Sequence, residues 1–168
     1  MYHTVVIGGG CLGAATAVSL QKKLNKLGKG EKVGLIEKAV LCAAESSRHS
    51  GIVRSANADP DASMMASIST KMWKNIRDHW GIDMELDEFG AIWIAKKNSD
   101  GDNPAWTNLS KRMEKINLVF EEIDPDSAIQ KCGTTLITDK DESYFYEPAA
   151  FQLDPSILRS ALYEAIDE

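Results

Sequence analysis

Three glycines and one acid carry the most specific chemistry in the chain. Gly8, Gly10 and Gly13 fall in a G-x-G-x-x-G pattern. At this spacing the first glycine permits a tight turn and the second lets the backbone approach a pyrophosphate. The third lets a helix pack closely on a strand. A helix opening at Cys11 and Leu12 turns its free N–H groups and positive dipole end toward that diphosphate. Glu37, with Lys38 beside it, follows Gly13 by 24 residues. A carboxylate there accepts the hydroxyls of an adenosine ribose. The pattern predicts a dinucleotide site, and a purely structural glycine turn is the alternative.

The elements needed to position these groups are present in order. Thr4 to Ile7 is a short β-branched run closed by Gly8-Gly9-Gly10, which reads as a buried parallel strand. Leu12 to Leu27 has helical spacing, with Leu12, Ala15, Ala17, Leu20, Leu24 and Leu27 on the apolar side and Gly28 at the C-terminal cap. Lys32 to Glu37 then reads as a second strand, apolar on both faces through Val33, Leu35 and Ile36. The acid also bears on the ligand. A carboxylate at position 37 repels a ribose 2′-phosphate, which disfavours NADP and leaves NAD and FAD open.

Residues 38 to 58 are rich in Ala and Ser and lack a clean period, so they read as a loop leading into a short helix near Ser50. The hydroxyls of Ser46 and Ser47 and the forked cation of Arg48 suit phosphate oxygens. Gly51, next to Ser50, allows close backbone approach to a flat ring. Arg54 is either a cation near such a ring or an ordinary surface arginine. His49 reads as a hydrogen-bonding group near the cofactor.

The run Val5-Val6-Ile7-Gly8-Gly9-Gly10-Cys11-Leu12-Gly13, then Glu37, then Ser46-Ser47-Arg48-His49-Ser50-Gly51-Ile52-Val53-Arg54 resembles the start of the D-amino-acid oxidase and sarcosine oxidase superfamily. Met72-Trp73, Phe89-Gly90-Ala91-Ile92-Trp93-Ile94 and Gln152-Leu153-Asp154-Pro155 extend the resemblance over nearly the whole chain, which corresponds to the first part of a family member. The resemblance implies FAD as cofactor, with the serine- and arginine-rich stretch beside its diphosphate and flavin ring. It also implies a flavin-facing Arg54. Aligned on Gly51, the histidine that some relatives attach to FAD falls on Arg48 and not on His49. Cys11 stands where an aliphatic residue is usual, and reads as a small packing residue.

Bulk composition narrows the classes. The 168 residues carry 43% hydrophobic and 26% charged side chains and a formal net charge of −6, which fits a soluble globular protein. The acidic balance disfavours nucleic acid, since phosphate binding needs clustered cations. One such cluster, Lys22, Lys23, Lys26, Lys29 and Lys32, lies at a helix end and the loop beyond it, where a solvated face is expected. Cys11, Cys42 and Cys132 are odd in number and lack metal-ligand spacing. They point to a reducing compartment and away from disulfides or a zinc site. No signal peptide and no apolar run of membrane-spanning length is visible, so the expected location is cytoplasmic.

Further along, Asp59-Pro60 starts a helix on which Met64, Ile68, Met72, Ile76 and Trp80 recur as a core stripe, and Gly81 ends it. Phe89 to Ala95 is expected as strand, Asn98 to Asn103 as a surface loop, and Pro104 to Ile116 as helix. Leu118 to Ile123 follows as strand, and Asp124-Pro125 opens a short helix. Thr134 to Ile137 reads as strand, Asp139 to Ser143 as a charged turn, and Asp154-Pro155 as the start of a last helix through Leu158, Leu162 and Ile166. Asp83, Glu85, Asp87 and Glu88 read as a solvated turn, and His3 and His79 as unspecialised.

The expected fold is α/β, an FAD/NAD(P)-binding Rossmann-like parallel sheet with the start of a mixed substrate-side region. The expected division is an FAD-binding region over 1–80, a substrate-side region over 81–150 and a returning helix over 151–168. The resemblance implies an oxidoreductase that moves a hydride from the carbon beside an amine nitrogen to FAD. Its substrate is a small amino acid or N-methyl amino acid, and the imine formed then hydrolyses. Oxidation of a 2-hydroxy acid is the runner-up. A third reading is a non-catalytic FAD-binding subunit or fragment of a split enzyme, working with a complementary subunit or as a homo-oligomer, and a fourth is an NAD-binding module. Strand–helix order of this kind leads into a further parallel strand, so the chain is expected to need more protein for catalysis.

Overall fold

Strands and helices are interspersed along the chain, and several of the helices begin at a proline. The computed structural model describes residues 2–57, 59–81, 84–98, 100–133 and 136–167. In chain order the elements begin with β1 (Tyr2–Ile7), α1 (Cys11–Lys26), β2 (Lys32–Ile36), a 3₁₀ turn (Glu45–Ser47) and β3 (Ile52–Val53). Next come α2 (Pro60–Lys74), α3 (Ile76–Trp80), β4 (Ala91–Lys96), α4 (Pro104–Lys115) and β5 (Glu121–Ile123). The last are α5 (Pro125–Cys132), β6 (Glu142–Glu147), β7 (Phe151–Gln152) and α6 (Pro155–Asp167). Chain contacts group them into two units. One comprises Met1–Gly51, Asn75–Leu86 and Leu153–Glu168, and the other Ile52–Lys74 and Asp87–Gln152.

In the first unit β1 and β2 pair in parallel, in register from Thr4 opposite Val33 to Ile7 opposite Ile36. Helix α1 makes the connection, as parallel pairing requires. It buries Ala14, Ala17, Val18 and Leu24, and the two alanines let it lie close to the strands. This corrects the expected stripe. Leu12 is 83% exposed and Leu27 is 62% exposed, because one lies at the loop-facing first turn and the other is the C-cap. Gly28 adopts φ +68°, and the N–H of Lys29 donates to Leu24 O at 3.0 Å, which closes the helix in a Schellman turn. Helix α6 packs on α1 through Leu158, Ala161, Leu162 and Ala165, an i, i+3, i+4, i+7 face. Lys22, expected on a solvated face, donates from Nζ to Trp80 O at 2.6 Å. The expectation of strands buried on both faces is also corrected. Val5, Ile7 and Ile36 are exposed, and among the described residues β1 and β2 pair only with each other.

The second unit is built on antiparallel pairing. β6 lies between β4 and β5, with Ala91 opposite Glu147 and Ile123 opposite Tyr144. Ala56, Leu109, Met113, Phe120 and Phe145 form its core, with Trp93 and Trp106 against them. The Phe120 and Phe145 rings stack at 5.4 Å between centroids, a spacing that aromatic quadrupoles favour. β3 pairs antiparallel with β7. Asp124 caps α5 by accepting the Ser127 N–H at 2.9 Å, and Pro125 fills the first turn.

Several expectations are overturned in this region. The helix from Asp59-Pro60 is interrupted at Asn75, giving α2 and α3. On α2 the buried residues are Ser63, Ser67 and Thr70, while Met64, Ile68 and Met72 are exposed. The hydroxyls of all three donate to carbonyls, Ser63 to Asn57 and Asp59, Ser67 to Met64 and Thr70 to Ala66, so small polar residues are buried with partners. Ile76 and Trp80 on α3 are buried as expected. β6 falls where no strand was expected, and Glu142 and Ser143 belong to it, leaving the turn at Lys140 and Asp141. The short helix expected near Ser50 is instead the 3₁₀ turn at Glu45–Ser47. Thr134, Thr135 and Asp83 lie outside the described residues, and Leu136 and Ile137 are not strand. By chain contacts, residues 52–74 group with the second unit. Among the described residues, no helix is long and apolar enough to cross a membrane.

Candidate functional site

The glycine loop joins β1 to α1, and its conformation follows from residues that lack a Cβ. Gly8 sits at φ +103°, outside the range of ordinary side chains. A Cβ on Gly13 would lie 1.9 Å from Gly8 O, so only glycine lets the helix start this close to the strand end. The Gly8 N–H donates to Ile36 O at 2.8 Å and ties the loop to β2. Helix geometry leaves the amides of Cys11, Leu12 and Gly13 without intrahelical acceptors. The first of these donates to Ser46 Oγ at 3.0 Å.

Glu37 sits directly after β2 and reaches back to the loop. Its Oε2 accepts the Gly9 N–H at 2.6 Å and its Oε1 accepts the Ala39 N–H at 2.9 Å. The Gly9 amide first, and the Ala39 amide next, hold this carboxyl below its ordinary pKa. Each oxygen keeps a further lone pair for a ribose hydroxyl. Lys38 is exposed and adds favourable charge beside it.

The serine- and arginine-rich segment divides. Ser46 Oγ meets the start of α1, and a Cβ on Gly10 would stand 3.3 Å from that oxygen. Ser47 instead donates to Ala44 O at 3.1 Å, which fixes the 3₁₀ turn. Arg48 and Ser50 are exposed. His49 Nδ1 accepts the Gly51 N–H at 2.9 Å, a local turn contact. Gly51 is buried at φ +76°, and its carbonyl accepts the Leu153 N–H at 3.1 Å. Arg54 belongs to the other unit. Its guanidinium lies 4.4 Å from the Trp93 ring centroid, and Nη1 donates to Ala56 O at 2.6 Å.

Gly8, Gly10, Cys11, Leu12, Gly13, Glu37 and Ser46 are thus brought together. Three further positions complete the loop. A Cβ on Gly9 would meet Leu41 Cδ2 at 2.7 Å and Glu37 Cβ at 2.8 Å. Cys42 takes φ +56° and donates its N–H to Gly9 O at 2.9 Å, while the Leu41 N–H donates to Tyr163 Oη at 3.1 Å. Burial pushes the Cys42 thiol up, so it stays protonated at neutral pH. The run of three glycines was the available signal for Gly9. Nothing in the spacing marks Leu41 or Cys42, which are placed by long-range contacts.

A diphosphate suits this cradle. Its backbone is open because the loop glycines carry no side chains, a helix starts beside it, and the half-buried carboxylate of Glu37 is bonded to it. Compared by sequence with curated proteins, the chain has no significant match. Among solved structures it is similar to L-proline dehydrogenase from P. horikoshii, at 20% identity and a TM-score of 0.83, covering 99% of this chain and 41% of that one. It is similar to glycine oxidase from Geobacillus kaustophilus at 20% identity and TM-score 0.77, covering 99% and 44%. L-amino acid deaminase from Proteus vulgaris matches at 20% identity and TM-score 0.78, covering 99% and 38%. At these identities the likeness shows the fold, and the chain spans about two-fifths of the length of these relatives. The FAD dependent oxidoreductase family model matches residues 3–168. The family's cofactor is FAD, a dinucleotide of the kind this cradle suits, and the chain belongs to the FAD-dependent oxidoreductase family.

Proposed function

We propose that the chain is the FAD-binding N-terminal part of an oxidoreductase that oxidises the C–N bond of a small amino acid or N-methyl amino acid. The observation that carries the cofactor half is the loop itself, in which Gly8, Gly13 and Glu37 leave backbone amides and carboxylate lone pairs for a dinucleotide. The substrate half is supported by the similar structures, whose names refer to proline, glycine and L-amino acids.

Bound FAD supplies the two-electron acceptor. The chain's own residues bind and orient it. The α1 start and Ser46 receive the diphosphate, Glu37 receives the ribose hydroxyls, and the exposed Arg48, Ser50 and Lys38 add polar contacts to its rim. Arg54 and His49 are the proposed functional cation and hydrogen-bonding group toward the flavin. The division into FAD-binding and substrate-side regions, a cytoplasmic location and a complementary subunit or homo-oligomer belong to the same proposal.

The test is anaerobic reduction of the FAD-loaded protein, followed in the visible spectrum. Small amino acids or N-methyl amino acids are expected to bleach the flavin band. Bleaching by 2-hydroxy acids and not by amino acids overturns the substrate reading.

A further inference from the structure

Among the described residues Glu147 is the one buried charged side chain, with no exposure at all, and sequence spacing gives it no role. Burying a carboxylate is costly unless its oxygens are well served. Here they are. Oε1 accepts the N–H groups of two successive residues, Ser55 at 2.5 Å and Ala56 at 3.1 Å. Oε2 accepts Trp93 Nε1–H at 3.1 Å. Paired consecutive amides closing on one anionic oxygen form a backbone nest, and hydrogen bonds to a charged acceptor are the stronger kind.

The groups held by Glu147 are the same ones that hold Arg54. The guanidinium donates to the carbonyl of Ala56, whose N–H is on Oε1. It lies over the indole of Trp93, whose Nε1–H is on Oε2. Arg54 is otherwise exposed, so its remaining N–H donors are open to solvent or a ligand. The geometry points to Glu147 as a positioning residue. By fixing Ser55, Ala56 and Trp93 together, it sets the place of the Arg54 guanidinium and leaves its other donors available to an anionic group.

The surroundings limit other roles for this carboxylate. Ser55 Oγ is engaged with Thr70 Oγ1 at 3.1 Å, and the Phe145 ring beside the cluster is fully buried. Glu147 has no access to solvent, so any effect it has on a ligand runs through the groups it holds. The functional weight of this rests on the reading above in which Arg54 is the working cation.

The experiment uses the full chain and reads Arg54 directly, by ¹⁵N relaxation and solvent exchange of its Nε–H, assigned by its loss in Arg54→Lys. In Glu147→Gln the amide can serve either the two backbone donors or the indole donor, and not both. The expected result is a clear fall in the Arg54 order parameter and an exchange rate about tenfold faster. Near-UV circular dichroism and the amide spectrum of the glycine loop stay unchanged. Glu147→Asp retains the charge with shorter reach and is expected to restore part of the order. Should Glu147→Gln fail to fold, the Asp variant carries the test alone, with order between that of the wild type and a free arginine.

Arg54 order that is unchanged in a folded Gln or Asp variant overturns the positioning role. In the FAD-loaded protein, the effects of Glu147→Gln and Arg54→Lys on flavin reduction are expected to be non-additive, as for groups acting as one unit; additive effects overturn the positioning role. The two readings fail separately. Mobile Arg54 with no bleaching by amino acids sinks the amine reading alone, and rigid Arg54 with bleaching sinks the positioning role alone.

Discussion

Glu37 and Glu147 use the same chemistry in opposite settings. Each carboxylate accepts two backbone N–H groups, from Gly9 and Ala39 in one case and from Ser55 and Ala56 in the other. Glu37 stands half-buried beside a loop without side chains, so its spare lone pairs stay open to a ligand. Glu147 is fully enclosed and takes a third donor from Trp93, so its capacity is spent on protein. The same capture of backbone amides thus leaves a carboxylate available for binding where solvent reaches it and confines it to protein groups where solvent does not.

The largest expected effect comes from emptying the enclosed site. Glu147→Leu leaves three buried donors without acceptors and is expected to cost about 3–5 kcal/mol in denaturant unfolding. A cost no larger than that of a surface change would erase the contrast between the two glutamates. Gly13→Ala comes next. Its Cβ would meet Gly8 O at 1.9 Å, and backbone on backbone cannot yield without moving the loop. A loss of about 1–3 kcal/mol is expected, with FAD binding lost in a flavin-fluorescence titration.

Glu37→Gln is expected to be milder for folding and to weaken FAD binding by about tenfold, since a charge-assisted acceptor becomes a neutral one. It also carries a pH signature. The folded carboxyl titrates below its ordinary value of 4.5, so the unfolded chain takes up the proton first. The contribution of Glu37 is present above that value and lost as pH falls through the lowered folded one. The wild type should therefore lose stability on acidification in that window, and Glu37→Gln should flatten the loss in denaturant midpoints measured on either side of it. The smallest effect is expected from Met64→Lys on the exposed face of α2, within about 0.5 kcal/mol by thermal melt. A large loss there would restore the methionine stripe to the core.

How far the chain could be read follows from where each signal lives. The glycine loop and Glu37 were legible because tight turns, helix starts and ribose acids need particular residues at particular spacings. The starts of α4, α5 and α6 were legible for the same reason, since a proline in the first turn follows Asn103, Asp124 and Asp154. β6 was not. Its residues Ser143, Tyr144 and Phe145 are all buried in succession, because it is the central strand, so the alternation expected of a half-buried strand never arises. The α2 stripe failed for a related reason. Periodicity marks a face, and neighbouring elements decide which face turns inward. Here Ser63, Ser67 and Thr70 satisfy their hydroxyls locally and go in, leaving the methionines out.

By itself the sequence determined the dinucleotide loop, its acid and most helix starts, because each is enforced by bonding within a few residues or by a glycine that no other residue can replace. Only the tertiary structure decided that Gly9 is hemmed in by Leu41 and Glu37, and that Arg54 rests on Trp93. It alone brought Glu147 to Ser55, across more than half the chain, to hold them together. Those placements depend on which strands pair and in what register, and pairing is settled by the packing of the whole unit.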